Sequence, residues 1–346
     1  MGVAVPVRGL AGVFWRTLRK RSSLTLILVL SFSFCLLRSA RNPEHVEERA
    51  MAAREEEEGE VITAREVQDT LMLMQEAVTT VESKCRRMAL LGGVLTCSCS
   101  DKKCARDGGK FLCLDPDVMP PPRSCLALNF GIGYEFSFDE ALANYGCRVI
   151  ALDPTNSNVT NRVYQANLTH SLPSVRLKGS REVLASHRNI HALSLGLADK
   201  DYTMVLNLTT DGVGYRTNVA AYLTYRSLLR MLDNPRIDLL KIDIEGNEWD
   251  VFQEILESPD AAKLLQHVRQ ILMEVHFDFL KPSMTADEVL QAAWRAIGIL
   301  RRLRDFGFRL AAADLNDTAQ SYMLFGSMKL ALFREITLIR RGVMAV

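Results

Sequence analysis

Residues Cys125 to Leu142 read CLALNFGIGYEFSFDEAL, an apolar run that ends in Phe130-Gly131-Ile132-Gly133 and passes directly into a segment of helical spacing. A short apolar run closed by glycines reads as a buried strand, and the glycines let the backbone turn sharply at its end. Outward from this strand at about Cys125–Asn129, further apolar runs lie at about Arg148–Leu152, Ile190–Ser194, Leu239–Ile242 and Gln270–Val275. Helical segments fill the intervals, notably Phe136–Tyr145, Leu223–Leu232 and Trp249–Leu256. Buried strands separated by helices predict an α/β fold, a mostly parallel sheet with helices on both faces. Phe308-Arg309-Leu310-Ala311 and Leu330–Arg340 suit a late antiparallel pair.

The glycines offer backbone N–H groups to a ligand at a helix N-terminus. A dinucleotide site would place a third glycine where Phe136 stands, which argues against a nicotinamide or flavin dehydrogenase and for a ligand without a pyrophosphate. The run GCRVIALDPT ends a strand in Asp153 about 20 residues after the glycines, a spacing at which a carboxylate accepts from ribose hydroxyls. Pro154 leaves a turn role for Asp153 open. In HALSLGLADKD, Gly196 and Asp199 follow a strand where an adenine edge would lie, with a plain surface turn as the alternative.

IDLLKIDIEGNEWDVFQEIL is the most distinctive run: a buried strand delivers Asp243 and Glu245 to its C-terminal rim, where open parallel sheets bind ligands. Strand alternation sends both carboxylates to one side, and burying them is costly unless they serve a site. A salt bridge from Lys241 or an exposed turn is the alternative. QILMEVHF adds Glu274 and His276 at a neighbouring strand end. With an unperturbed pKa of about 6.5, His276 is the best general base near neutral pH, against the reading of a satisfied core histidine. A divalent metal held by Asp243, Glu245, Glu274 and His276 is the weaker reading, and no metal is expected.

The strand Leu240 to Gly246, Leu-Lys-Ile-Asp-Ile-Glu-Gly, resembles the hallmark of the FkbM-like branch of class I methyltransferases. The resemblance covers about Cys125 to Arg340. It implies a Rossmann-like, mostly parallel seven-stranded sheet and S-adenosylmethionine bound near Gly131, Gly133 and Asp153. Most class I enzymes open the first motif with an acid where this chain has Asn129. Asparagine still accepts a hydrogen bond but cannot offset the ammonium of the methionine moiety, a charge that Glu135 is placed to supply. The resemblance therefore implies methyl transfer, most simply to an oxygen of an unidentified acceptor, with Asp243, Glu245 and His276 as catalytic candidates. A catalytically inactive binding or scaffold protein of the same fold is the alternative, motivated by Asn129.

Upstream, Arg8, Arg16, Arg19, Lys20 and Arg21 form a basic tail over 1–22 before an apolar segment at 23–38. The segment is short for a membrane span, so a cleaved signal competes with a retained anchor. The charge asymmetry places the N-terminus in the cytoplasm and the rest in the secretory lumen, or outside the cell if the segment is cleaved. An acidic stem over 39–60 precedes a helix predicted over 61–91, where Ala64, Val67, Leu71, Met74, Val78, Val81, Cys85 and Met88 form a heptad seam. The seam suits a homodimer, or an amphipathic helix lying on the catalytic domain. The connector over 92–124 is crowded with cysteines, favouring disulfides in an oxidising compartment over a zinc site, with Cys85 as a conceivable interchain bridge. Sequons at Asn158, Asn167, Asn207 and Asn316 permit glycosylation there. The remaining 125–341 is read as the methyltransferase domain. A net charge of +1, from 42 basic and 41 acidic residues, gives no field to draw in nucleic acid, and no nucleic-acid partner is expected.

Overall fold

The structure, a computed structural model, describes residues 64–97, 104–133, 135–155, 189–210, 214–316, 322–326 and 328–342. The chain divides into Met1–Arg65 and Glu66–Val346, and the second unit holds the fold. The basic tail, the apolar segment at 23–38 and the acidic stem lie outside the described residues, as do the sequons at Asn158 and Asn167. Among the described residues no helix is long and apolar enough to cross a membrane.

Helix α1 covers 64–77. Strands β1 (Met88–Leu91), β2 (Val94–Cys97), β3 (Cys104–Asp107) and β4 (Lys110–Cys113) follow, with β1 antiparallel to β4 and β2 antiparallel to β3. The αβ core then runs through β5 (Leu126–Phe130), α2 (Ser137–Tyr145), β6 (Arg148–Leu152) and β7 (Ile190–Leu193). Next come β8 (Leu195–Leu197), β9 (Tyr202–Thr210), β10 (Gly214–Leu223) and α3 (Tyr225–Met231). The core resumes with β11 (Leu239–Ile242), α4 (Glu248–Glu257), α5 (Ala261–Leu265), β12 (Gln270–His276) and α6 (Ala286–Asp305), and closes with β13 (Arg309–Leu315), β14 (Tyr322–Phe325), β15 (Met328–Ala331) and β16 (Phe333–Ile339).

Seven strands form the central sheet in the order β13-β16-β12-β11-β5-β6-β7. All contacts among β7, β6, β5, β11 and β12 are parallel, while β16 is antiparallel to both β12 and β13. From β5 the chain first builds outward to β6 and β7, then crosses back to add β11 and β12 on the other side. The crevice at such a reversal, above the carboxyl ends of the strands, is where open sheets take ligands.

The strand sequences explain the layering, because successive residues of β5 serve different cores. Leu126, Leu128 and Phe130 join a core with residues of α1, α3, α4 and α6, whereas Ala127 joins Phe138, Leu142 and Ala143 of α2 and Leu112 of β4. Both faces are therefore buried, which is why these strands read as continuous apolar runs. Helix α2 stops at Gly146, whose φ of 110° suits a residue without a side chain. Helix α6 starts with a capping box between Thr285 and Glu288.

Two expectations are corrected. The helix expected over 61–91 ends at 77, and Met88 lies in β1. Leu71, Met74 and Val78 of the predicted seam are fully buried in this chain's own core, as expected of an amphipathic helix lying on the domain. The interval before α3 holds not helix but the β9–β10 hairpin, which joins β8 in a separate three-stranded sheet. Disulfides Cys85–Cys113 and Cys125–Cys147 form within the chain, in line with the favoured reading of the cysteine-crowded stretch, and Cys85 is thereby paired inside the chain. Cys85 and Cys113 lie beside Asp115 in a metal-like grouping, but both sulfurs are committed to the disulfide.

Candidate functional site

A cavity of about 600 Å³ opens at the carboxyl ends of β6, β5, β11 and β12. Asn129, Gly131, Gly133, Glu135, Asp153, Asp243, Glu245 and His276 all line it. Asp199 does not. It sits exposed on the turn between β8 and β9, because β8 leaves the central sheet to pair with β10, and Gly196, Leu197 and Tyr222 line that wall instead.

At one end, Gly131 and Gly133 adopt φ of 75° and 57°. A side chain on Gly131 would fall on the Asp243 carbonyl oxygen, so close packing of β5 against β11 demands glycine there. Above Gly133, by contrast, a Cβ would meet nothing within 4 Å, so the space over the turn is open. The Gly133 N–H donates to Asp153 Oδ2 at 2.7 Å, and the Thr155 N–H donates to Oδ1 at 2.7 Å. The Asp153 carboxylate thus faces the glycine turn, and Thr155 was not foreseen as its anchor.

Asn129 is buried and donates through Nδ2 to Asp139 Oδ1 at 2.8 Å, while its Oδ1 has no hydrogen-bond partner. Burial pushes Asp139 up to about 7, against the hydrogen bond from Asn129 and the charge of Lys241. An acid missing at position 129 is therefore present on the first turn of α2. Glu135 Oε1 accepts from the Ser137 N–H at 2.6 Å and so braces the start of that helix.

The other end carries a buried ionic cluster. Asp243 Oδ2 lies 3.1 Å from Lys110 Nζ and 3.3 Å from Lys241 Nζ. Burial alone would raise its pKa, but the two ammonium groups hold it well below the usual carboxylate range. Lys110 also donates to Glu335 Oε1 and lies 4.0 Å from Glu274 Oε2. Burial, then the charges of Asp243 and Glu335, push Glu274 up to about 8. Asn316 Nδ2 donates to Glu274 Oε1 at 2.5 Å, which places the amide of the fourth sequon in the cavity wall.

His276 and the third acid of the motif differ from expectation. Glu245 stands at φ 57° just past the end of β11, and its side chain is 92% exposed. The left-handed turn there breaks strand alternation, so Asp243 and Glu245 do not share a buried side. The fully buried acid is Glu248, on the first turn of α4, whose Oε1 accepts from the Ile244 N–H at 2.8 Å and lies 3.0 Å from His276 Nδ1. Burial would lower the His276 pKa, but Glu248, with Glu274 and Asp243, outweighs it and raises the group to about 9. At neutral pH His276 is thus a cation, not the free base expected from an unperturbed imidazole. Asp243, Glu274 and His276 place ligand-type atoms within 4.8 Å of one another, as a metal site would. Lys110, Glu335 and Glu248 went unnoticed in the sequence: Lys110 follows a glycine pair in an irregular stretch, and Glu335 sits in a strand with no motif around it.

The methyltransferase FkbM domain matches residues 125–310, more than half of the chain. Fibrillarin, a pre-rRNA processing protein of Methanococcus jannaschii, is similar over 76% of this chain and 98% of its own, at 10% identity and a TM-score of 0.33. Methyltransferase FkbM from Methylobacillus flagellatus KT is similar over 63% of this chain and 45% of its own, at 9% identity and a TM-score of 0.31. A geranyl diphosphate methyltransferase solved in complex with SAM is similar over 65% of this chain and 81% of its own, at 11% identity and a TM-score of 0.31. No curated protein gives a significant match. The assignment rests on the domain match alone: this chain belongs to the methyltransferase FkbM family.

Proposed function

We propose that the chain is an S-adenosylmethionine-dependent methyltransferase acting on an oxygen nucleophile. The observation that carries this reading is Asp153, its carboxylate turned onto the Gly133 N–H at the lip of a cavity whose far end holds Asp243 and His276. The residues fit the donor. Open space lies above Gly133, Asn129 Oδ1 is buried and unpartnered, and a cavity of about 600 Å³ is within the range of nucleoside-sized sites. Asp153 would hold the ribose hydroxyls, the Gly131–Gly133 turn the nucleoside, and Asn129 with Glu135 the amino-acid end. When bound, the donor supplies an electrophilic methyl carbon on a sulfonium.

The chain must then hold the acceptor oxygen in line and take its proton. Glu248 Oε1 lies 3.0 Å from His276 Nδ1, and Glu245 Oε2 lies 3.9 Å from Nε2. His276 at Nε2 is the proton acceptor in this reading. Asp243, kept ionised by two lysines, orders the pocket. Transfer of labelled methyl groups into fractionated membrane and secretory extracts tests the proposal. His276→Asn is expected to lower transfer by about 100-fold, in the range of lost general-base catalysis, with donor affinity retained. Undiminished transfer by that variant removes His276 from the role. Donor binding without transfer in any fraction favours the second reading, a non-catalytic binding protein, which Asn129 motivates.

The two disulfides support a secretory, lumenal setting for the domain, anchored through residues 23–38. Protection of the domain from protease in sealed microsomes is the expected result.

A further inference from the structure

The part of the chain that matches the family begins at 125 and ends at 310, yet two members of the ionic cluster at Asp243 come from outside it. Lys110 arrives from β4 and Glu335 from β16. Strand β4 is seated firmly. Cys113 is bonded to Cys85, its backbone N–H donates to Gln270 Oε1 at 2.9 Å, and its carbonyl accepts from Gln270 Nε2 at 2.8 Å. One residue into the strand, the Phe111 carbonyl accepts from Thr337 Oγ1 at 2.7 Å.

These anchors carry a side chain only 3% exposed into a cluster of carboxylates. An ammonium has three N–H donors, and Lys110 has three carboxylate neighbours: Asp243 at 3.1 Å, Glu274 at 4.0 Å and Glu335. Asp243, Glu274 and His276 would otherwise be a set of oxygen and nitrogen ligands gathered closely enough for a divalent ion. Such carboxylates are not stable together without a cation between them.

We propose that Lys110 is the resident cation of the acceptor end of this pocket, held by Asp243, Glu274 and Glu335 beside the set Asp243, Glu274 and His276 that would otherwise gather a divalent ion, and positioning Asp243 for the reaction. The naming of this end as the acceptor end rests on the methyltransferase reading, but the cation substitution does not. The disulfide-fastened segment before the family domain is then a working wall of the site, because it adds a second ammonium beside that of Lys241 on β11 and is the one that reaches Glu274 and Glu335.

Titration of the full chain with Mn²⁺, followed by the loss of the free-ion signal in electron paramagnetic resonance, tests this without any methyl transfer. The native chain and Lys110→Arg are expected to leave the ion free. Lys110→Ala is expected to bind one equivalent about tenfold or more tightly than the native chain, and adding Asp243→Asn is expected to abolish that binding. Equal binding by the native chain and Lys110→Ala, or none by a folded Lys110→Ala, overturns the proposal. If Lys110→Ala does not fold, Lys110→Gln takes its place in the same titration. Collapse of both neutral variants with Lys110→Arg intact supports the need for a cation, and collapse of Lys110→Arg as well shows that packing of the stem, not charge, is what the position supplies.

Discussion

In the proposed reading, His276 and Glu248 carry the pH behaviour of the site. Because Glu248 and its neighbours raise the histidine to about 9, the neutral imidazole that accepts a proton is a minor form at pH 7 and grows as pH rises. Transfer should therefore increase about tenfold per pH unit above neutrality and level off near 9. Glu248→Gln removes the charge that favours the imidazolium and should move the rise to lower pH. A profile flat from pH 7 to about 9.5 contradicts His276 as the acceptor. At this scale the sequence was partly legible. Gly131, Gly133, Asp153 and Asp243 fell together because strand ends and glycine turns are local features. Glu245 was misplaced because a left-handed turn, with φ of 57° at Glu245 and 98° at Gly246, interrupts the alternation used to orient it. No local pattern marks Lys110 or Glu335, which reach the cluster only through the packing of β4 and β16.

Among the elements, the five parallel strands could be read because each is buried on both faces and therefore continuously apolar. Helix α1 shows how the same periodicity serves two outcomes. A stripe at alternating steps of three and four residues can face a partner chain or the helix's own domain, and only the tertiary structure decides. Here Met74 is fully buried within the chain. Met74→Ala should cost about 2–5 kcal/mol in unfolding free energy, the usual penalty for a cavity in a closed core, with the oligomeric state in analytical ultracentrifugation unchanged. Dissociation of a dimer by this substitution would restore the coiled-coil reading. The β9–β10 hairpin was illegible for a different reason. Val205 and Val219 pair across it and both are exposed, so apolar side chains stand on an open face, where the inside-outside pattern leads one to expect polar ones.

Taken as a whole, the molecule is larger than its family domain. Strand β16 closes the sheet against all seven residues of β12 and brings Glu335, while β4 brings Lys110, and both lie beyond the matched residues. What unites these parts is one pocket with the Gly133–Asp153 turn at one end, the nucleoside end in the proposed reading, and an ionic end at Asp243. Calorimetric titration of the full chain with S-adenosylmethionine, beside Asp153→Ala, tests that arrangement most directly. The account predicts saturable one-to-one binding by the native chain and affinity weaker by about tenfold or more in the variant, the effect of losing charge-assisted hydrogen bonds. No heat at millimolar ligand, or equal affinity in the two proteins, contradicts it.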